Sequence, residues 1–281
     1  MLSGTSIFYT VNLIYIVTVK YVKYHTGVME YRKIKYGLDG ATAWILLANP
    51  PLNIVDLEMM RELISALDAA EKESEIIVIS HEGKHFSAGA EIREHYPDMA
   101  SDLIGTFTEL IEKILNSEKI TVCAVKGYAL GGGFEIPLAC DVILASSNAK
   151  LGVPEITLAH YPPVAIALLP HMIGWKNAFD LITTGEAIDA YRAREMGIVS
   201  RVFEQDSFDE DVKKYVNGLL EKSPIALKLA KKALKKSTGI DLRGVLNEVN
   251  SIYLNELIKT EDAVEGLNAF LEKRKPEWKG R

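Results

Sequence analysis

Apolar positions change their rhythm several times along the chain, and each change predicts an element. Strand-like runs at Tyr31–Lys35 and Ala41–Leu47 flank a turn over Gly37–Gly40, which predicts a strand pair. Asn49-Pro-Pro-Leu-Asn53 breaks that pattern. Beyond it Met60, Leu63, Ile64 and Leu67 recur at helical spacing, with Asp56 in the N-cap position of a helix over Leu57–Lys72. Ile76–Ser80, Thr121–Val125 and Val142–Ala145 are short unbroken apolar runs, as expected of strands buried on both faces. Leu151–Gly152 predicts the start of a fourth short strand. Between these runs, a helix capped by Ser101 is predicted over Asp102–Asn116, and a shorter one over residues 132–140. After residue 165 the pattern is helical: 166–172, 175–183, 189–195, 207–221, 223–236, 240–258 and Glu261–Arg274.

This order predicts an α/β fold class, with a strand–helix layered core followed by a helical tail. In cores of parallel buried strands, ligand sites lie at the carboxyl ends of the strands. Two loops at such ends are rich in small residues, Phe86–Glu91 and Gly127–Gly133.

With 281 residues, 48% of them hydrophobic, the chain can bury the core of one large domain or two small ones. The net charge of −6 lacks the basic excess of a nucleic-acid surface. Cys123 and Cys140 form no CxxC pair, so neither a zinc site nor a disulfide framework is read, which fits a reducing cytoplasm. Ile7–Val19 is mostly apolar but shorter than the roughly 20 residues of a bilayer span. Lys20 and Lys23 follow it rather than precede it, unlike a secretory signal. An extra strand, an interface segment or a tail upstream of a second start at Met29 is therefore favoured over a membrane anchor.

Three glycines, Gly131–Gly133, lead into the short helix. Glycine allows close approach to the main chain, and the first N–H groups of a helix have no internal partner. Such a terminus suits an anion or a developing oxyanion, or simply a packing turn. Pro137 fits a helix that starts near Gly132, where its missing N–H would be unpaired anyway. Glu135 and Glu155 both sit in apolar company. Each alone reads equally as a structural ion pair or as a functional carboxylate; two facing one site would divide acid and base roles. Asp141 reads as a structural acceptor, and Arg93 as a ligand-facing or surface charge. Lys228, Lys231, Lys232, Lys235 and Lys236 read as a solvated helix face. His85, His95, His160 and His171 have no metal-ligand spacing, and nothing selects one of them for a pocket.

Taken together, His85–Arg93, Val125–Asp141, Leu151–Ile156, Leu181–Glu186, Ala193–Val199 and Phe270–Lys275 resemble the enoyl-CoA hydratase/isomerase (crotonase) family, in order, over roughly residues 30–279. The resemblance implies a crotonase-like spiral of repeated β-β-α units over 29–223, with a helical C-terminal region over 224–281 for trimer contacts and residues 1–28 as an extension. It implies that Ala90 and Gly132 N–H groups form an oxyanion hole, where one donor is worth roughly 3–4 kcal/mol. Glu135 would activate water for attack at the β-carbon, and Glu155 would supply the proton to the α-carbon. Ala88, Ile92, Arg93, Tyr161, Pro163 and Lys273 would contact substrate or CoA, with Arg93 in place of a family lysine. The implied partners are an acyl-CoA thioester and further copies in a homotrimer or homohexamer. No metal or redox cofactor, nucleic acid or membrane is implied.

Having both glutamates favours hydration; isomerases of the family usually keep only the second. His160-Tyr-Pro-Pro-Val-Ala-Ile166 replaces a glycine-rich stretch of many hydratases and looks like that of the cyclohexa-1,5-diene-1-carbonyl-CoA hydratases. A double-bond isomerase using Glu155 alone, or a non-catalytic RNA-binding relative using the lysine-rich helix, are the alternatives.

Overall fold

The computed structural model describes residues 31–281 and the backbone pairing of Lys23–Tyr24. The apolar run Ile7–Val19 and the question of residues 1–28 lie outside the described residues, that pairing apart.

Strand β1 (Lys23–Tyr24) pairs antiparallel with β2 (Ile34–Asp39), and β2 pairs antiparallel with β3 (Thr42–Leu47). The first strand of the expected pair therefore lies later than Tyr31–Lys35. Gly37 is a ladder residue opposite Trp44, and the turn is made at Gly40, whose φ of +59° an L side chain rarely adopts. Helix α1 (Leu57–Glu73) follows, with the Asp56 side chain accepting from Met59 N. It leads to β4 (Ile76–His81), parallel to β3. A 3-10 turn at Ile92–His95 precedes α2 (Ala100–Asn116). Ser101 is not its cap: Met99 occupies that position without a side-chain bond, and the Tyr96 carbonyl accepts from Met99 and Ala100 N.

From here each turn of the chain repeats one plan. Strand β5 (Ile120–Val125) joins the large sheet, β6 (Tyr128–Leu130) joins a small one, and helix α3 (Gly132–Ala139) closes the unit. Strand β7 (Val142–Ser146) returns to the large sheet, β8 (Lys150–Gly152) to the small one, and a 3-10 turn (Pro154–Leu158) leads into α4 (Pro163–Thr184). This is the expected spiral of β-β-α units. The helix pair expected over 166–183 is α4, broken at Gly174 (φ 76°) and started early by Pro163. Strands β9 (Ile188–Asp189) and β10 (Arg201–Phe203) interrupt the expected all-helical tail, while α5 (Ala190–Glu195) is the helix expected over 189–195. β10 completes the large sheet, ordered β1-β2-β3-β4-β5-β7-β10 and parallel from β3 onward. Two residues and three residues are too short for periodicity to reveal.

Alternate residues of the parallel strands serve two cores. Ile77, Ile79, Cys123, Val125, Ile143 and Ala145 join the cluster that holds α1 to α4. Val78, Val122, Ala124 and Leu144 face Phe208, Val212 and Val216 of α6 (Phe208–Leu220). Burial on both faces explains why these strands read as continuous apolar runs. Three further helices end the chain: α7 (Pro224–Thr238), α8 (Leu242–Asn255) and α9 (Glu261–Leu271). The last two are shorter than expected, with a 3-10 turn at Leu257–Lys259 taking the end of the predicted 240–258 helix.

Candidate active site

The site is assembled where the small sheet meets the start of α3. Gly131 N donates to Gly152 O at 2.9 Å, and Gly131 holds φ +52°, ψ −134° before the helix begins. A Cβ there would stand 2.7 Å from Glu155 Oε1, so this glycine makes room for a carboxylate. A Cβ on Gly133 would strike Ser87 at 2.5 Å, so the loop 86–90 packs directly on the helix start. Pro137 is the sixth residue of α3 and not in its opening turn; it is tolerated because the helix ends two residues later, with Cys140 N bonded to the Pro137 carbonyl.

Two main-chain N–H groups are left free here for a geometric reason. Val55 and Ala90 form a parallel bridge in which Val55 N donates to Gly89 O and Glu91 N donates to Val55 O. Those bonds flank Ala90 and turn its own N–H away. Gly132 N is the first of the helix and has no carbonyl a turn before it. Neither N–H is donated to another described residue. A Cβ on Gly132 would lie 3.6 Å from Ala90 N and 3.3 Å from Ala90 Cβ, so the two peptide groups are neighbours.

Glu135 and Glu155 flank this pair of donors. Glu135 is only 3% exposed, and its Oε1 accepts from Val164 N (2.8 Å) and Ala165 N (2.9 Å), the opening N–H groups of α4. Burial pushes its carboxyl up to about 7, and the two N–H donors oppose that rise. Burial, and then the charge of Glu135, push Glu155 well above the usual carboxylate range. The Glu155 residue is partly exposed, but its Oε2 is buried with no partner among the described residues. Neither glutamate has a cationic partner among those residues.

The remaining expected contact residues divide. Ala88 is half-buried, with its N–H spent on Leu52 O, and Ile92 is half-buried in the 3-10 turn. Arg93 and Lys273 are exposed and make no ion pair among the described residues. Lys273 follows α9 with φ 56°. The Tyr161 hydroxyl is committed to Val249 O of α8 at 2.8 Å, and Pro163 is the buried first residue of α4. The stretch before α4 thus sets where the Val164 and Ala165 N–H groups meet Glu135.

Two features of the sequence reading change. Lys231 is 7% exposed and pairs with Asp141 (2.5 Å), which also accepts from Thr121 N and Oγ1. Lys228 pairs with Glu118 and Lys235 with the Leu115 carbonyl. Three of the five lysines therefore grip the body, and the face is not simply solvated. Second, His95, His160 and Tyr253 gather beside the carboxylates. Tyr253 arrives from α8, about a hundred residues on, with no local signal to announce it.

An α/β spiral that gathers two unpaired N–H groups and two carboxyls without cations at the start of one helix has the parts for acid–base chemistry on a group that develops negative charge. Residues 38–281 match the enoyl-CoA hydratase/isomerase family, and the chain belongs to it as an enzyme of the enoyl-CoA hydratase type. It is 33% identical over 245 residues to the cyclohexa-1,5-dienecarbonyl-CoA hydratase of Thauera aromatica, covering 86% of this chain and 95% of that protein. It is 35% identical over 243 residues to the 2,3-dehydroadipyl-CoA hydratase of Escherichia coli (strain K12), covering 84% and 95%. The fold matches an enoyl-CoA hydratase crystal structure from Mycobacterium avium subsp. paratuberculosis K-10 with a TM-score of 0.81 at 27% identity, covering 89% of this chain and 99% of that one. No helix among the described residues is long and apolar enough to cross a membrane.

Proposed function

We propose that this enzyme adds water across the α,β double bond of an acyl-CoA thioester, through an enolate held by the Ala90 and Gly132 N–H groups. The observation that carries this reading is the unequal treatment of two neighbouring carboxylates. Glu135 has two N–H donors that favour its ionised form; Glu155 has an oxygen with none. The pair is thereby split into a base and an acid. Glu135 takes a proton from water as the oxygen attacks the β-carbon. Electrons move to the thioester oxygen, which the two N–H groups stabilise. The enolate collapses as Glu155 gives its proton to the α-carbon. The net change is one H and one OH added, with the proton later returned from Glu135 to Glu155. No metal or redox cofactor enters this scheme, and CoA is part of the substrate. Arg93 and Lys273 supply positive charge for its phosphates.

The finer proposal is a cyclic dienoyl thioester, supported by the resemblance of His160–Ile166 and by the name of the Thauera aromatica relative. Assembly as a homotrimer or homohexamer, through the region 224–281, is supported by the exposure of Ile225, Leu229 and Leu234 on α7, and a cytoplasmic location by the two free cysteines. Three lysines engaged with the body count against an RNA-binding reading. The test is turnover of straight-chain, branched and cyclic enoyl-CoA substrates, followed by loss of 2-enoyl absorbance. Full activity in either Glu135→Gln or Glu155→Gln would reject the assigned roles. Robust turnover of a 3-enoyl-CoA by Glu135→Gln would instead favour an isomerase.

A further inference from the structure

Five buried side-chain polar atoms have no hydrogen-bond partner among the described residues: Trp44 Nε1, Ser146 Oγ, Glu155 Oε2, His160 Nε2 and Tyr253 Oη. Leaving such an atom unsatisfied is costly, so each calls for a reason. The last three belong to residues linked by direct contacts, Glu155 to His160 through the main chain and His160 to Tyr253 ring to ring. His160 N donates to the Glu155 carbonyl at 3.1 Å. The His160 and Tyr253 rings lie 5.8 Å apart between centroids, and the Tyr161 ring meets Tyr253 edge-on at 5.2 Å. The charges of Glu155 and Glu135 both act on the Tyr253 phenol.

Their hydrogen-bonding characters are complementary. His160 Nδ1 lies 2.7 Å from the Leu158 carbonyl, which can only accept, so the proton sits on Nδ1 and Nε2 is a bare acceptor. Burial lowers this histidine to about 4, so the ring is neutral at pH 7. Tyr253 is 1% exposed and keeps its proton, so its O–H is a donor. A water accepting from Tyr253 and donating to His160 Nε2 and Glu155 Oε2 makes the three bonds usual for buried water.

We propose that Tyr253 and His160 are positioning residues of the hydration site, holding through one shared water the carboxyl of Glu155 that protonates the α-carbon. No proton leaves Tyr253; its O–H holds the water that donates to the Glu155 carboxylate once that proton is given up. This inference rests on the hydratase reading above. The groups that face Tyr253 and bear on its titration are Glu135 of α3, Glu155 of the 3-10 turn, and His160 and Tyr161 before α4. His95 acts at one remove, through His160.

The test is Tyr253→Phe in the full chain, which keeps the ring packing and deletes only the O–H. The expected result is a kcat about 10–100-fold lower, as for a misplaced catalytic group, with KM within about twofold. The alkaline limb of kcat should move to higher pH, because a carboxylate whose donating water is no longer held becomes harder to ionise. His160→Leu should give a similar loss, the double variant little more, and His160→Gln, which restores an acceptor, a partial recovery. A Tyr253→Phe protein with parental kcat and pH profile overturns the proposal; if that variant fails to fold, parental kinetics in His160→Leu do the same. A crystal structure of the parent should hold one ordered solvent peak within reach of all three atoms, and a dry space there also overturns it. If the parent itself turns over no enoyl-CoA, the hydratase reading has failed and this inference falls with it.

Discussion

The two ends of α3 handle carboxylates in opposite ways. Just beyond its C-terminus, Asp141 accepts from Thr121 N, Thr121 Oγ1 and Lys231 Nζ, and the cation is itself buried. At its N-terminus, Glu135 in the helix and Glu155 beside Gly131 have no cation, and one Glu155 oxygen has no partner among the described residues. The first takes a cation, Lys231, out of water beside a more exposed carboxylate; the second takes the carboxyl groups themselves out of water, which is expensive unless they are matched. The matched one ties α7 to the sheet. The unmatched one raises both carboxyls above the usual carboxylate range, as the proton exchange proposed for them requires. Both the exposure and the partners of an acid differ between the two ends: Asp141 is the more exposed and has a cation, Glu135 is buried and has none.

The largest expected effect lies at the unmatched end. Glu135→Gln and Glu155→Gln should each lower kcat by roughly 10²–10⁴-fold, the range for general acid–base catalysis. Their thermal midpoints should be equal to the parent's or higher, since a buried carboxyl is removed. Lys231→Met should do the reverse: about 1–2 kcal/mol of stability lost in denaturant titration, because the partly exposed Asp141 loses its charged donor and keeps only Thr121, with kcat changed less than about twofold. Equal sensitivity of activity and stability in both regions would break the contrast. Gly131→Ala sits on the boundary between them. Its Cβ would meet Glu155 Oε1 at 2.7 Å from a backbone with φ +52°, so activity should fall about 10²-fold as that carboxyl is displaced, with a stability loss of about 1–2 kcal/mol.

The smallest effect is in pH dependence. Burial raises Glu135 from 4.5 to about 7, so the folded protein holds a proton that the unfolded chain has released. Stability should therefore fall as pH rises from about 4.5 to about 7, by the linkage of proton binding to folding. Glu135→Gln should flatten that slope in melts across this window. The same rise predicts an acidic limb of kcat near pH 7, as Glu135 must be ionised to act as base. A parent whose stability rises through this window would contradict the assignment.

Much of the layered core was legible along the chain. The runs Ile76–Ser80, Thr121–Val125 and Val142–Ala145 are strands within one residue at each end, because strands buried on both faces need apolar side chains at every position. Asp56 caps α1 as its spacing predicts, since capping is a contact between residues three apart. Less was visible at the site. Gly131–Gly133 and Glu135 stood out as odd in an apolar helix, but Ser101 and Pro137 were misread, since either is equally acceptable in more than one helix position. Tyr253 carried no signal: a tyrosine in an amphipathic helix reads as core whichever wall it reaches.

By itself the sequence determined the α/β layering, the glycine-opened helix and the presence of two acids in apolar settings, for these depend on neighbours a few residues away. The sequence also marked Asp141 as a structural acceptor, but only the tertiary structure supplied the partners of all three acids. Asp141 became an anchor because α7 returns Lys231 to it from ninety residues on, while α4 brings Glu135 two N–H groups and no charge. Partners distant in sequence set the local dielectric and the hydrogen bonds, and those set which carboxyl keeps its proton.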